Sequence, residues 1–328
     1  MTRPTDERTK PVTEPPGDPP EPEMEWIPGG TFRIGSEEFY PEEKPVRAVT
    51  VDGFWMNRAP TTNREFAAFV ADTDYTTLAE RDPDPEDYPG ANSDDLVPGS
   101  AVFTQPRGPV PLQNPSRWWN YVPGADWRHP LGPDSDLGNK LDHPVVHVAY
   151  EDAKEFAEWA GKTLPTEAQW ERAARGGLEH KRFVWGDEHV PDGRLMANTW
   201  QGDFPHENTV LDGYERTSPV ASFPSNRFGL IDMAGNVWEW TRDWYSDDPT
   251  LGESESPSCC TPTNPRGVTE AQSVDPRDPT EMPRKVLKGG SHLCAPNYCF
   301  RYRPAARYPE PIDTSTSHVG FRCVVEPD

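Results

Sequence analysis

Proline occurs 40 times in these 328 residues and glycine 25 times, and neither is confined to one end of the chain. A proline removes a backbone donor and fixes φ, so it belongs in first turns, strand edges and loops rather than inside regular elements. A chain punctuated this often cannot build a long helical bundle or a doubly wound sheet. What it has for a core is bulk, in 12 Trp, 10 Tyr and 13 Phe, side chains that each bury a large apolar area. The length allows one large domain or two ordinary ones. Together these constraints give an irregular, loop-rich α+β protein as the expected fold class.

The balance of 32 Lys and Arg against 55 Asp and Glu leaves a net charge of -23. Such a surface repels phosphate, so no nucleic acid partner is expected. No apolar run approaches the ~20 residues needed to cross a bilayer, so no membrane is expected either. Dense surface carboxylates equally suit a halophilic host. The opening MTRPTDERTKPVTEPPGDPPEPE has no apolar segment behind its charges, and the five cysteines are an odd number bunched in the last quarter. Both features suggest a cytoplasmic protein with free thiols rather than a disulfide framework.

Residues 1–23 carry seven prolines and almost nothing apolar, a composition that cannot offset the entropy of ordering and is expected to be a disordered acidic tail. Residues 24–328 contain no stretch that resembles an interdomain linker, which predicts a single domain. WIPGGTFRIGS and RAVTVDGFWMNRAP alternate apolar and polar residues and predict two strands. TTNREFAAFVADT places Phe66, Phe69 and Val70 at helical spacing behind capping residues. HPVVHVAY predicts a strand, and EDAKEFAEWAGK a helix with Phe156, Trp159 and Ala160 inward. LPTEAQWERAARGG has a capping sequence, Trp170 and Ala173-Ala174 on one face, and a glycine stop. Polar excursions are expected at 82–116 and 246–285, and no fixed-period repeat is present.

The strongest chemical signal is KGGSHLCAPNYCFRYRPAAR. Cys294 and Cys299 stand five apart in a basic, aromatic segment, and two convergent thiolates suit a soft, low-coordinate metal or a redox pair. Two buried structural thiols remain the bland alternative. Zinc is disfavoured, since no further Cys or His pair has the usual spacing. The vicinal Cys259-Cys260 would make a strained disulfide, and Cys323 reads as a buried apolar side chain. Oxygen donors collect in ANTWQGDFPHENTVLDGY (Asn198, Asp203, Asp212) and in IDMAGNVWEW (Asp232, Asn236, Glu239), the type of irregular chain that holds Ca²⁺. His143 and His147 lie four apart in the expected strand, on one face, without an HExxH pattern. No GxSxG, P-loop or GxGxxG motif is present.

Together the segments WIPGGTFRIGS, DWRHPLGPDS, LPTEAQWERAARGG, NTWQGDFP, GLIDMAGNVWEWTRDWY, KVLKGGSHLCAPNYCFRYRPAAR and STSHVGFRCV resemble the formylglycine-generating enzymes of prokaryotic type. The most discriminating piece is CAPNYC after GGS. The resemblance implies a formylglycine-generating-enzyme fold, related to C-type lectins, in a monomer. It also implies a copper-dependent oxidase that converts a cysteine in a CxPxR segment of an unfolded sulfatase to Cα-formylglycine, using O₂ and a thiol reductant. On that resemblance Cys294 and Cys299 are the Cu(I) ligands. Ser291 and Trp238 line the pocket for oxygen and the substrate thiol, and Tyr298 and Arg301 flank the metal. Asn198, Asp212 and the carbonyls of Thr199 and Tyr214 correspond to one structural Ca²⁺ site, and Asp232, Gly235, Glu239 and the Val237 carbonyl to a second. Where animal members carry disulfide cysteines this chain has Ala174 and Pro304, and His318 replaces an asparagine found in many members. Two rivals are an iron-dependent sulfoxide synthase of the same superfamily, which needs a three-histidine site, and a non-catalytic binding module, which has no use for two thiols beside GGS.

Overall fold

The structure is a computed structural model, and it describes residues 11–92, 94, 96–251 and 261–327. Cys259 and Cys260 lie outside the described residues. WIPGGTF breaks at Pro28-Gly29 into strands β1 (Met24–Ile27) and β2 (Gly30–Ile34), and the following segment breaks at Asp52-Gly53 into β3 (Arg47–Val51) and β4 (Phe54–Asn57). Four short strands therefore replace the two expected. At Gly53 the reason is steric, since a Cβ there would meet the Trp26 ring and the Val12 carbonyl.

Helix α1 (Asn63–Thr73) begins at Thr62, whose hydroxyl accepts from the Glu65 N–H while the Glu65 carboxylate accepts from the Thr62 N–H. This reciprocal cap satisfies two donors that helix geometry leaves orphaned. Strands β5 (Gly99–Phe103) and β6 (Trp119–Pro123) pair antiparallel. The excursion expected at 82–116 thus contains a buried strand, GSAVF, too short to show a period. Helices α2 (Tyr150–Trp159) and α3 (Glu167–Arg175) follow, the second capped by Thr166 and Gln169 and stopped by Gly176 at φ 55°.

The segment HPVVHVAY is not a strand. Pro144 makes one isolated bridge to Thr62, and His147 turns left-handed at φ 62° to donate its N–H to the Thr316 carbonyl. The whole run 143–149 is buried, so its apolar character reflects burial on all sides, and His143 and His147 share no strand face. In α2, Phe156 is buried as expected but Trp159 is 40% exposed, lying over Phe69 and Phe156 with its indole N–H on Asp72. It is the last residue of the helix.

Later elements are β7 (Trp238–Trp244), α4 (Glu270–Ser273), β8 (Arg284–Lys288), β9 (Arg307–Pro311), β10 (Val319–Gly320) and β11 (Val324–Val325). HVGFRCVV is therefore two short strands rather than one. A three-stranded sheet runs β1-β4-β11, and a four-stranded sheet runs β10-β7-β8-β9 with β9 at its edge. The architecture is the irregular α+β one expected. Residues 11–23 of the expected tail are mostly exposed, yet Gly29 donates to the Val12 carbonyl, Trp26 to that of Thr13 and Lys162 to Glu21. Backbone bonds and one ion pair hold this stretch, although its side chains have almost nothing apolar to bury.

The main core centres on Phe66, whose ring lies 5.2 Å from Trp127, 5.4 Å from Phe69, 5.9 Å from Phe156 and 6.4 Å from Phe321. Cys323 is buried in the same core as a free thiol, and burial pushes its pKa up to about 12. We predict that Cys323→Ser destabilises the fold by about 1–3 kcal/mol, since it buries a hydroxyl where a weak donor sat, while leaving turnover per folded molecule unchanged. Urea unfolding and a rate normalised to folded protein check this, and a loss of rate without a loss of stability would contradict the structural role. A second aromatic cluster, including Phe103, Trp118, Trp200 and Phe204, packs with Leu293 and Ala295 under the cysteine loop.

Three buried carboxylates, Glu43, Glu171 and Glu239, and the part-buried Glu167 brace these layers. Glu171 accepts from Lys288 at 3.0 Å and Arg175 at 2.6 Å, Glu167 pairs with Arg307 at 2.8 Å, and Glu43 pairs with Arg303. Glu239 on β7 receives both Arg322 nitrogens at 2.7 Å and the Trp170 indole N–H at 2.7 Å. Burial at these positions is tolerated because each carboxylate finds a charged, hydrogen-bonded partner.

Candidate active site

Strand β8 ends at Lys288, and the chain then turns on Gly289 (φ 94°) and Gly290 (φ 72°). A Cβ at Gly290 would stand 2.9 Å from the Tyr302 nitrogen, so the chain at 301–302 passes too close for any side chain here. Beyond it, Cys294 donates its N–H to the Ser291 carbonyl and Cys299 donates to that of Ala295, both at 2.9 Å. Two successive turns fold the five-residue spacing back on itself and bring the sulfurs to 3.0 Å. That exceeds the ~2.05 Å of a disulfide, and both thiols are free. The Ser291 N–H points at Cys294 Sγ from 3.4 Å.

The two sulfurs sit in different electrostatic environments. Burial and the neighbouring Cys299 push the Cys294 thiol well up. The hydrogen bond from Cys294 and the Arg301 guanidinium hold Cys299 below the usual thiol range. The pair therefore carries one negative charge most readily on Cys299, with Cys294 donating to it. Arg301 is fixed for this role by Glu42 at 2.7 Å and by the Tyr40 ring, whose centroid lies 3.7 Å from its guanidinium carbon.

The sulfurs open into a cavity of about 440 Å³ whose lining includes Trp238, Ser291, Tyr298 and Arg301. Every catalytic candidate named from the sequence thus meets at one place. Trp238 enters from the start of β7 and lies 5.8 Å from the Tyr308 ring. Tyr298 stacks on Phe204 at 4.5 Å, and burial near the two sulfurs pushes its phenol up to about 12. Ser291 Oγ accepts from the Leu293 N–H, which leaves its proton available to the cavity.

Sequence reasoning missed several wall residues, among them Trp119, Tyr308, Glu310 and Thr316. Trp119 comes from β6, Tyr308 and Glu310 from β9, and no local period marks any of them. His318, noted only as a departure, is also in the wall. Its Nδ1 lies 2.6 Å from the Thr316 hydroxyl and its ring 4.7 Å from that of Trp119. Burial and the nearby His292 and His147 hold it well below the usual imidazole range, so it is neutral.

The expected calcium donors fall in two places. Thr199 O and Asp212 share the Gln201 amide, which donates at 2.6 and 2.7 Å, and Asp212 also accepts from the Tyr214 N–H; the Asn198 amide donates to Arg216. In the second set Asp232 is buried with Oδ1 lacking any hydrogen-bond partner, and burial pushes its carboxyl up to about 6. Gly235 is tucked against Asn198, where a Cβ would collide with the carbonyl oxygen. Asp203, grouped with Asn198 in the sequence, converges with His206 and Glu207, their ligand atoms all within 4.8 Å of one another. Among the described residues this is the one such group of three or more His, Cys, Asp and Glu side chains, and it holds a single histidine. No helix among the described residues is long and apolar enough to cross a membrane.

Residues 9–327 match the sulfatase-modifying factor enzyme 1-like domain. The chain is 52% identical to a formylglycine-generating enzyme of Mycobacterium tuberculosis, covering 92% of this chain and 97% of the relative. It is 34% identical to an inactive Cα-formylglycine-generating enzyme 2 of Mus musculus, over 92% and 85% of the two chains. The solved structure of PvdO from Pseudomonas aeruginosa has the same fold, with a TM-score of 0.63 at 22% identity, covering 93% of this chain and 94% of that one.

Proposed function

The chain belongs to the sulfatase-modifying factor family of formylglycine-generating oxidases, bacterial in type, and on that premise we propose that Cys294 and Cys299 bind Cu(I) and that the protein uses O₂ to oxidise a cysteine in a CxPxR segment of a sulfatase. The observation that carries this reading is the sulfur pair, two free thiols 3.0 Å apart at the foot of the cavity. A donor set of two soft sulfurs, one already inclined to ionise, fits a soft monovalent ion. When bound, the ion supplies affinity for a further thiolate and one-electron chemistry with O₂.

The protein's part follows from its own groups. Cys299 holds the negative charge and Arg301 balances it. Trp238, Tyr298 and Phe204 exclude water from the place where the substrate sulfur enters. The free Ser291 proton donates to whatever acceptor stands over the sulfurs, and the neutral His318 adds no charge of its own to the wall. The overall change takes a CH₂–SH group, O₂ and two external thiols to an aldehyde, hydrogen sulfide, water and a disulfide. The external thiols provide the two electrons that O₂ needs beyond those from the substrate. The test is capture of the aldehyde with an aminooxy probe after incubating a CxPxR peptide with enzyme, reductant and Cu(I). Oxidation that a tight Cu(I) chelator leaves untouched would refute the copper reading.

We further propose structural Ca²⁺ at the two oxygen-donor clusters. The orphaned Asp232 Oδ1 supports it, because an unpaired buried oxygen is costly and a cation removes that cost. The sign of the pH dependence follows from Asp232, whose folded pKa near 6 lies above its unfolded value. Its ionised form therefore costs the folded state stability, and that cost grows as pH rises from about 4 through 6. Calcium relieves it, so chelation should lower the melting temperature clearly at pH 8 and little at pH 5. An equal shift at both values, or none at either, would exclude Asp232 as a ligand.

A further inference from the structure

Among the described residues that line the sulfur cavity, Glu310 is the only carboxyl and Arg301 the only guanidinium or ammonium group. The two do not neutralise each other, because Arg301 is engaged by Glu42 and Tyr40. Glu310 accepts a hydrogen bond from the Thr314 side chain, and no cation among the described residues offsets its charge. Burial, with Asp313 adding to it, pushes its carboxyl up to about 8. A half-buried acid left without a counter-charge in a binding cavity is a defect of the empty protein that a ligand can repair. Its surroundings suit a cation. Tyr308, two residues earlier and so on the same face of β9, shares the wall with Trp119; aromatic rings are surfaces on which a guanidinium stacks, and Arg301 already lies 5.3 Å from the Tyr308 centroid.

We propose that Glu310 receives the basic side chain of the substrate segment, making it a specificity-determining residue of the cavity. This rests on the reading of the cavity as the place where a cysteine-containing peptide binds. Arg is the better fit, since its planar fork meets a carboxylate bidentately and stacks at the same time, whereas the Lys ammonium meets it as a point charge.

Binding is measured separately from turnover with labelled SxPxR, SxPxK, SxPxQ and SxPxE peptides, in which Ser replaces the reacting Cys. By fluorescence anisotropy the wild-type protein should bind the Arg peptide roughly tenfold or more tighter than the Gln peptide, the Lys peptide between them and the Glu peptide most weakly. Glu310→Gln should bring the Arg and Gln peptides to within about twofold of each other by weakening the Arg peptide. The same ratio should appear in kcat/KM for CxPxR against CxPxQ, carried by KM. A flat series on the wild-type protein overturns the assignment without any variant, as does a Glu310→Gln protein that keeps its preference or loses all four peptides equally. If the wild-type enzyme oxidises no CxPxR peptide, the oxidase reading fails, and the anisotropy series still decides on Glu310.

Discussion

Cys294→Ser and Cys299→Ser should each leave the protein folded, unable to retain Cu(I), and slower on a CxPxR peptide by on the order of 10³-fold, about 4 kcal/mol of barrier. The effect is expected to be this large because the site has two soft donors and loses half of them, a greater change than disturbing an outer partner of a metal ligand. The two variants should also differ. Cys294→Ser leaves the Cys299 thiolate beside Arg301, whereas Cys299→Ser leaves only the thiol that burial keeps protonated. Alkylation of the metal-free proteins should therefore be faster in Cys294→Ser. Near-stoichiometric copper in either variant after loading and desalting would sink the assignment of the pair.

Arg322→Met should be the most destabilising single change outside the aromatic core, by about 3–5 kcal/mol. Arg322 is fully buried and donates to both oxygens of the equally buried Glu239 and to the carbonyls of Arg58 and Ile231. Its removal strands a carboxylate in the interior together with unpaired carbonyls, and such groups cost their full desolvation. The double change Arg322→Met with Glu239→Leu should recover part of the loss, because no charge is then left behind. Arg64→Ala breaks a pair whose side chains are 60% and 66% exposed and should change stability by less than ~1 kcal/mol. Urea unfolding in the presence of a chelator measures all three, the chelator keeping any cation near Glu239 from masking the effect. An Arg322→Met protein within 1 kcal/mol of wild type would show that the interior rearranges to hydrate Glu239.

Features settled within one turn of chain were legible before the structure. The caps of α1 and α3 depend on residues three apart, Thr62 with Glu65 and Thr166 with Gln169, and the cysteine pair depends on two turns across six residues. Longer-range features were not. HPVVHVAY reads as a strand because it is a short valine-rich run that is buried throughout 143–149, yet Pro144 and the left-handed His147 belong to a coil whose partners come from distant segments. The cavity walls were illegible for the same reason. Trp119 reaches the site through the β5-β6 pairing, and Tyr308 and Glu310 through the pairing of β9 with β8, partners that no local spacing encodes. The reaction came from resemblance, while the meeting of Trp238, Ser291, Tyr298 and Arg301 around the sulfurs came from the fold.

The edge position of β9 also bears on how a polypeptide substrate gets away again. In Arg307–Pro311 the third and fifth residues are proline, so at two of its five positions this edge has no N–H to offer an incoming strand. A partly extended chain lying beside it cannot zip onto the sheet by continuous backbone pairing, a mode that would hold every sequence alike. On the proposed reading its grip is limited to what its side chains find, chiefly the sulfur pair for its thiol and Glu310 for its basic side chain. Loss of the sulfur on oxidation would remove the first of these, so the chemistry itself would become the signal for departure.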